Sequence, residues 1–395
     1  MYPDLSYFFH DLFGTNVDNA FSIFKTFGLF LALTFIVSAW LLAKELNRKE
    51  EEGIIGKLKN IAAQTPSTAA NSWIKDAAIN GLLLGFLAYK IPYISQNFAE
   101  FKVNPAGVLF SVGGNILIGL LVTGIVVYMV YLTHRKSGEA APLVKEWPHQ
   151  KVGDIIIIAA VTGIIGARIF SVLENWESFI ADPLGQLLSG SGLTIYGGII
   201  MAGLTLVWYS RRIGLHTPHL ADAAAPCLAL GYGIGRMGCQ FSGDGDWGIP
   251  NVAPKPDWFF LPDWVWSYNY PRNVLREGVP IEDCIGHYCN RLAEAVYPTP
   301  IYEITIAVIT FSLLWYLRKR LPKAGMLFFI YLFLTGLARF FVEGIRVNER
   351  YDLLGLGWSL SQWIAVLFML GGVAGYFWTR SSGMQILKTH PTSSD

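Results

Sequence analysis

The sequence predicts an all-α polytopic membrane protein, and three observations predict it. Of 395 residues, 53% are hydrophobic and only 15% charged, against about a quarter charged in soluble domains. The apolar residues fall in runs long enough to cross a bilayer as helices, which takes about 20 residues each. The chain also carries 13 Trp and 18 Tyr, whose amphipathic rings settle at membrane–water interfaces. These features exclude a disordered chain, a collagen-like fibre, a small disulfide scaffold and a soluble enzyme. Lys and Arg total 30 against 29 Asp and Glu, so net charge offers nucleic acid no attraction.

About nine segments meet the length criterion for a spanning helix: residues 24–43, 78–94, 106–133, 152–173, 193–209, 220–238, 301–317, 326–343 and 358–378. The second is short and holds Lys90 and Pro92. The sixth is rich in Ala and Gly and is expected to be broken or tilted. Closed helices are the default because lipid satisfies no backbone polar group.

Basic residues set the orientation. With the N-terminus outside, most Lys and Arg fall in cytoplasmic segments, among them Arg48, Lys49, Arg135, Lys136, Arg211, Arg212, Arg318, Lys319 and Arg320. This is the positive-inside pattern and gives an N-out, C-in chain. Asp4, Asp11 and Asp18 but no basic residue precede Lys25, the wrong pattern for a signal peptide, so the first span is expected to be a permanent helix. The long loop 239–300 then lies outside. Its Trp247, Trp258, Trp264 and Trp266 suit a segment resting on the bilayer surface. Cys284 and Cys289 face an oxidising compartment there, where either a local disulfide or two free thiols fit. Cys227 reads as a small buried residue.

Three arginines lie within or at the edge of spans: Arg168, Arg236 and Arg339. A charge at mid-membrane costs roughly 2.5–3.5 kcal/mol on insertion scales, so it pairs, lines a cavity or snorkels to headgroups. In the topology above all three approach the outer face. Arg339 and Glu343 are spaced to pair on one helix face, and Arg346 falls on the same face. Guanidinium matches phosphate oxygens with a planar fork and keeps its proton. Several such groups at headgroup depth point to a phospholipid headgroup site. Two glycine-rich stretches flank it, one from Gly192 to Gly198 and one containing Gly243-Asp244-Gly245-Asp246-Trp247-Gly248. Such glycines either admit a ligand close to the backbone or serve close helix packing. Two carboxylates are too few for a calcium site, and no metal is expected.

At this point the residues resemble the prolipoprotein diacylglyceryl transferase family. Its signature stands here as Gly235-Arg236-Met237-Gly238-Cys239-Gln240-Phe241-Ser242-Gly243-Asp244-Gly245-Asp246-Trp247-Gly248. Further blocks are Pro298-Thr299-Pro300-Ile301-Tyr302-Glu303, the run Arg339-Phe340-Phe341-Val342-Glu343-Gly344-Ile345-Arg346, and Tyr196-Gly197-Gly198. Their order and spacing match over about residues 153–378, and residues 24–53 resemble the family's first helix; jointly the blocks are specific.

The resemblance implies a seven-helix core with two inserted helices. Residues 1–53 would hold an outer segment and the first helix, 54–150 the inserted pair, 151–380 the catalytic core with its periplasmic loop 239–300, and 381–395 a cytoplasmic tail. It implies transfer of a diacylglyceryl group from phosphatidylglycerol to the lipobox cysteine of a prolipoprotein, in the bacterial inner membrane near its periplasmic face. No cofactor is implied, and no Walker or dinucleotide motif is present. Arg236 and Arg339 are the expected phosphate ligands, with Glu343 and Tyr196 as further catalytic candidates. Arg168, Gly197, Gly198, Asp244, Asp246, Gly248, Tyr302 and Arg346 are expected to line the lipid headgroup. Tyr196 stands where many members have His, which leaves the base that activates the thiol unassigned.

Overall fold

The computed structural model describes residues 1–58, 72–103, 105–136, 146–183, 194–348 and 355–382. The expectations for Gly192 and for the tail beyond residue 382 lie outside these residues. The described chain is mostly helical and divides into two compact units, Met1–Gly56 with Pro148–Gly153 and Leu215–Asp395, and Lys57–Trp147 with Asp154–Gly214.

The first unit is a helix bundle. Helix α1 (Leu5–Phe13) is capped by Asp4, whose carboxylate accepts from Ser6 N–H at 3.1 Å and pairs with Lys25 at 3.2 Å. Helix α2 (Thr26–Glu51) outruns its apolar stretch because Glu45, Arg48 and Lys49 are buried or half-buried by partners: Arg318 pairs with Glu45 at 2.9 Å, and Lys49 donates to the His219 carbonyl at 3.1 Å. Seven helices then precede the next long helix of the first unit in chain order: α3 (Ser72–Gln96), α4 (Phe98–Val103), α5 (Pro105–Phe110), α6 (Ile116–Lys136), α7 (Val152–Glu174), α8 (Trp176–Ala181) and α9 (Ile195–Ile213). Then follow α10 (Thr217–Ser242), α11 (Asp263–Trp266), α12 (Thr299–Leu317), α13 (Met326–Glu343) and α14 (Leu360–Ser382), with one two-stranded hairpin of β1 (Val279–Pro280) and β2 (Asn290–Arg291).

Helix α10 is the axis of the first unit. It packs against α2, α12 and α13, and α13 packs against α14. Small residues allow this. A Cβ on Gly233 would stand 3.0 Å from Ala307 Cβ, and one on Gly238 would stand 3.1 Å from Phe30 Cβ. Ala225, Ala229, Leu314 and Leu327 form the core between α10, α12 and α13. Asp222 of α10 accepts from Gly325 and Phe328 N–H at 2.7 and 3.0 Å. It thereby caps α13 with a charge that favours a helix N-terminus.

Between α10 and α12 the chain forms an aromatic cap. Trp247, Tyr270 and Val296 are its core, packed by Met1, Tyr268 and Leu292. Cys284 and Cys289 form a disulfide, one of the two states the sequence left open. The peptide N–H of Tyr288 in that loop donates to the Tyr7 hydroxyl at 3.2 Å, tying the cap to α1.

In the second unit α3 packs against α6. Thr123 donates to the Gly81 carbonyl at 3.1 Å across a seam of small residues. Lys90, fully buried, donates to the carbonyl of Gly113 at 2.9 Å and to the Ser111 hydroxyl at 3.2 Å, between the rings of Tyr89 and Tyr93. Helices α7 and α9 meet at glycines: a Cβ on Gly197 would stand 2.5 Å from the Gly166 carbonyl oxygen, and one on Gly198 would stand 3.0 Å from that of Gly163.

Six helices are long and apolar enough to cross a membrane among the described residues: α2, α6, α7 with its preceding turn, α12, α13 and α14. The remaining three long helices cover the other expected spans without meeting that criterion. For α10 the reason is physical: it turns Asp222, Arg236 and Gln240 toward protein, not lipid. The expected span 106–133 is corrected. It divides into α5 and α6, because Gly113, Gly114 and Asn115 interrupt the helix and the Asn115 carbonyl side chain accepts from Ile118 N–H at 3.2 Å as a new N-cap. Of the two forms expected for 220–238, broken or tilted, the break is absent: α10 is continuous through Pro226.

Candidate functional site

The C-terminal ends of α10 and α13 and the N-terminal end of α12 meet at one end of the first unit. Each brings ionisable side chains from an otherwise apolar stretch. Arg236 arrives from α10, Glu303 from α12, and Arg339 with Glu343 from α13. Glu303, only 3% exposed, is their meeting point. Its carboxylate pairs with Arg236 Nε at 3.0 Å, Arg339 Nη1 at 3.5 Å and Arg346 Nη1 at 3.7 Å, and accepts from the Tyr232 hydroxyl at 2.6 Å. Tyr232 in turn accepts from Arg236 Nε at 3.1 Å. Arg236 and Arg339 thus converge on one carboxylate from different helices.

The cap closes the arrangement. Gly243, at φ +65°, ends α10 in the left-handed conformation, and Gly245, at φ +96°, turns the chain back. Asp246 is thereby presented to both Arg236 and Arg346, with which it forms ion pairs. Thr299 holds the Asp246 carbonyl at 2.6 Å, fixing the turn to the start of α12. Gly248 then pairs as an isolated β-bridge with Arg346, and Ile249 N–H donates to the Ile345 carbonyl at 2.9 Å. A Cβ on Gly248 would stand 2.5 Å from that carbonyl oxygen, so only glycine fits. Glu343 pairs with Arg339 at 3.1 Å and accepts from Asn348 and from Ser359 Oγ, the latter at 3.0 Å.

Three guanidiniums and three carboxylates therefore share one small volume. Buried ions are tolerated only when paired, and here each faces at least one opposite charge, while Glu303 Oε2, Glu343 Oε2 and Arg346 Nη1 are left without a hydrogen bond. The members differ in access. Arg236 and Glu343 are buried, whereas the Arg339 and Asp246 side chains are 26% and 30% exposed, so the site opens on those two. Burial alone would raise the Asp246 carboxyl, but the guanidiniums of Arg236 and Arg346 outweigh it and hold the group below the ordinary carboxylate range. Asp244 moves the other way: burial, then the neighbouring Asp246 charge, pushes it up. Cys239 Sγ lies 3.7 Å from Arg236 Nη1 and converges with the Asp244 and Asp246 carboxylates. A thiol and two carboxylates beside a guanidinium that already engages one of them make a poor cation site.

Among the expected site residues, Arg236, Arg339, Glu343, Arg346, Asp246 and Gly248 come together in this one unit, with Asp244 beside them. Tyr302 takes another role, donating to the Val265 carbonyl at 2.9 Å and bracing the cap against α12. Arg168, Tyr196, Gly197 and Gly198 belong to the second unit, where the two glycines face α7. Sequence reasoning passed over Glu303 and Tyr232. The signal for Glu303 was present: a carboxylate in a spanning segment, which demands a partner as an arginine does.

These features define a multi-pass helical membrane protein with a buried arginine–carboxylate centre at one end of its bundle. Residues 107–378, more than half of the chain, match the family model described as prolipoprotein diacylglyceryl transferase. The chain belongs to that family. Curated relatives named phosphatidylglycerol–prolipoprotein diacylglyceryl transferase include those of Dehalococcoides mccartyi, 29% identical over 64% of this chain and 86% of the relative, and of Staphylococcus carnosus, 28% identical over 75% and 94%. That of Clostridium novyi is 32% identical over 56% of this chain and 77% of its own length.

Proposed function

We propose that the protein transfers the diacylglyceryl group of phosphatidylglycerol to the thiol of a prolipoprotein's lipobox cysteine, the first step of lipoprotein maturation. The sulfur forms a thioether bond to the glyceryl carbon, the bond from that carbon to the phosphate oxygen breaks, and glycerol phosphate leaves with the electron pair. The observation that carries this reading is the convergence of Arg236 and Arg339 on Glu303 in a chain of this family.

The chemistry needs positive charge where the phosphate departs. Fixed donors in a low-dielectric site stabilise such a group by several kcal/mol because they need no reorganisation. Arg339, the more accessible arginine, takes the phosphate first, and Arg236 completes the clamp as the lipid phosphate exchanges for part of the Glu303 pairing. Glu343 orients Arg339. Asp246, with Asp244 beside it, holds Arg236 and Arg346 and offers acceptors to the headgroup glycerol hydroxyls. Gly248 lets the cap approach closely, and Tyr302 braces that cap against α12. The thiol, with a free pKa of about 8.5, becomes more acidic near guanidinium.

The same reading places nine spans, N-out and C-in, in the bacterial inner membrane, with the site near the periplasmic face and residues 54–150 as an inserted pair. Both substrates then arrive within the membrane. The prolipoprotein's signal helix tethers its thiol at high effective concentration. The test is direct: purified protein, phosphatidylglycerol labelled in its acyl chains, and a lipobox peptide. Labelled peptide with stoichiometric glycerol phosphate supports the transferase. Cleaved lipid without labelled peptide supports a lipid phosphodiesterase instead.

A further inference from the structure

The cap sorts its aromatic residues into two sets. Trp247 and Tyr270 are buried in its core, and Phe259 packs edge-on against Trp266 at 5.2 Å. On either side of Phe259 the neighbouring rings are exposed, Trp258 standing edge-on to Phe259 at 5.9 Å. Trp258 is 75% and Phe260 92% exposed, with Val252 and Trp264 also outward. Exposed large apolar groups gathered on one short segment mark an interaction surface.

The geometry of the segment's base says what covers it. Tyr302, in the first turn of α12, donates to the Val265 carbonyl at 2.9 Å. Asn251 donates from its side chain to the Trp266 carbonyl and from its backbone to that of Ala295, both at 2.8 Å. Val296, just before α12, bridges both Pro250 and Tyr268. The segment is therefore bound to the N-terminal end of α12, one of the helices long and apolar enough to span a bilayer. The exposed Val308, Ile309 and Leu313 lie further along the same helix. The outward rings thus stand beside the N-terminal end of α12, next to the exposed apolar face of a helix able to span a bilayer.

We propose that residues 252–264 form a membrane-inserting edge, with Trp258 and Phe260 entering the headgroup and upper acyl layer of the leaflet at the N-terminal end of α12. Trp is suited to that layer, where its ring is half wet and half apolar. The segment's charged residues are Lys255, Asp257 and Asp263, with Lys255 paired to Asp263 at 2.6 Å. No basic patch recruits anionic lipid, so apolar burial alone drives insertion. The same cap carries Asp246 and Gly248, so insertion pins the cover of the arginine cluster at headgroup depth. A phosphodiester moving sideways in the leaflet then meets Arg339 without leaving the membrane. This last consequence rests on the transferase reading; the insertion itself does not.

The experiment uses the full chain in lipid nanodiscs, with a nitroxide attached at Phe260→Cys or, as a reference on the disulfide loop, at Glu282→Cys. Both positions are exposed, so both variants retain the fold. Protein without an added cysteine corrects for labelling of the buried Cys227 and Cys239. Collision of the nitroxide with oxygen and with a water-soluble nickel chelate is measured in phosphatidylcholine and in phosphatidylglycerol discs. Oxygen collisions are expected to exceed nickel collisions at position 260 in both lipids, with the order reversed at 282. Nickel-dominated collisions at 260 overturn the proposal. So does an apolar signature that develops only on adding a lipobox peptide, which makes the edge a peptide-docking surface, and so does dipolar broadening between labels, which makes it a contact between copies. Because the readout needs no turnover, it stands apart from failure of the transferase assay.

Discussion

Arg236 and Glu303 form the central ion pair of the bundle, Nε to Oε2 at 3.0 Å, with both residues buried. Each also has further counter-charges, Asp246 for Arg236 and both Arg339 and Arg346 for Glu303. A single point charge cannot replace the guanidinium, because Arg236 engages Glu303 through Nε and Asp246 through Nη1. The forked geometry, and not only the charge, is what the site uses.

Arg236→Ala is therefore expected to abolish transfer while the protein still inserts, and Arg236→Lys to lose most of the turnover although it keeps the charge. The check is the rate of peptide lipidation, normalised to membrane-inserted protein. Near-normal turnover by the lysine variant would remove the bidentate role.

Glu303→Gln keeps shape but removes the charge that gathers Arg236, Arg339 and Arg346. Deleting one partner of a buried pair leaves an uncompensated ion and costs roughly 3–5 kcal/mol. The variant is expected to unfold at lower temperature in detergent and to turn over at least tenfold more slowly, about the effect of 1.4 kcal/mol on a barrier. An unchanged melting temperature with unchanged turnover makes Glu303 a bystander.

The contrast between Arg236 and Glu303 also measures how much the sequence discloses. Apolar runs with clear ends are legible: residues 326–343 were expected to span and form α13 as Met326–Glu343. The Arg339–Glu343 pair was legible because helix spacing is local information. The division of 106–133 was less so, since hydropathy averages over Gly113 and Gly114 and does not see the Asn115 cap. Glu303 was hidden for a different reason. Its importance lies in which distant side chains surround it, and its position beside the motif's Tyr302 drew attention to the tyrosine, whose hydroxyl instead braces the cap. The sorting of Phe259 inward and Trp258 and Phe260 outward is likewise a product of tertiary contacts.

Asp246 predicts a pH dependence. Its folded-state carboxyl lies below the ordinary value despite burial, because Arg236 and Arg346 stabilise the anion. A depressed group contributes stability that is complete above its unfolded pKa, about 3.9, and is lost as pH falls through the folded value. Wild-type protein should therefore lose stability between pH 5 and more acidic conditions at a slope that Asp246→Asn reduces. Unfolding followed across that range in detergent checks it; identical slopes for the two proteins refute the clamp.

Gly248→Ala tests the cap's close approach. The added methyl would stand 2.5 Å from the Ile345 carbonyl oxygen and 2.9 Å from Tyr297 Cβ, so the strand segment must move outward. Overpacking of this kind costs about 1–3 kcal/mol, which the bundle absorbs because its helices do not depend on the cap's bridge. The site does depend on it, since the displaced strand carries Asp246 on one side and faces Arg346 on the other. Turnover is expected to fall far more than thermal stability. The check pairs a lipidation rate with hydrogen exchange at the Ile249 amide, which now donates to Ile345 at 2.9 Å. Faster exchange there with lost activity and a near-native melt is the expected pattern, whereas slow exchange with full activity would show that the backbone tolerates a side chain at this position.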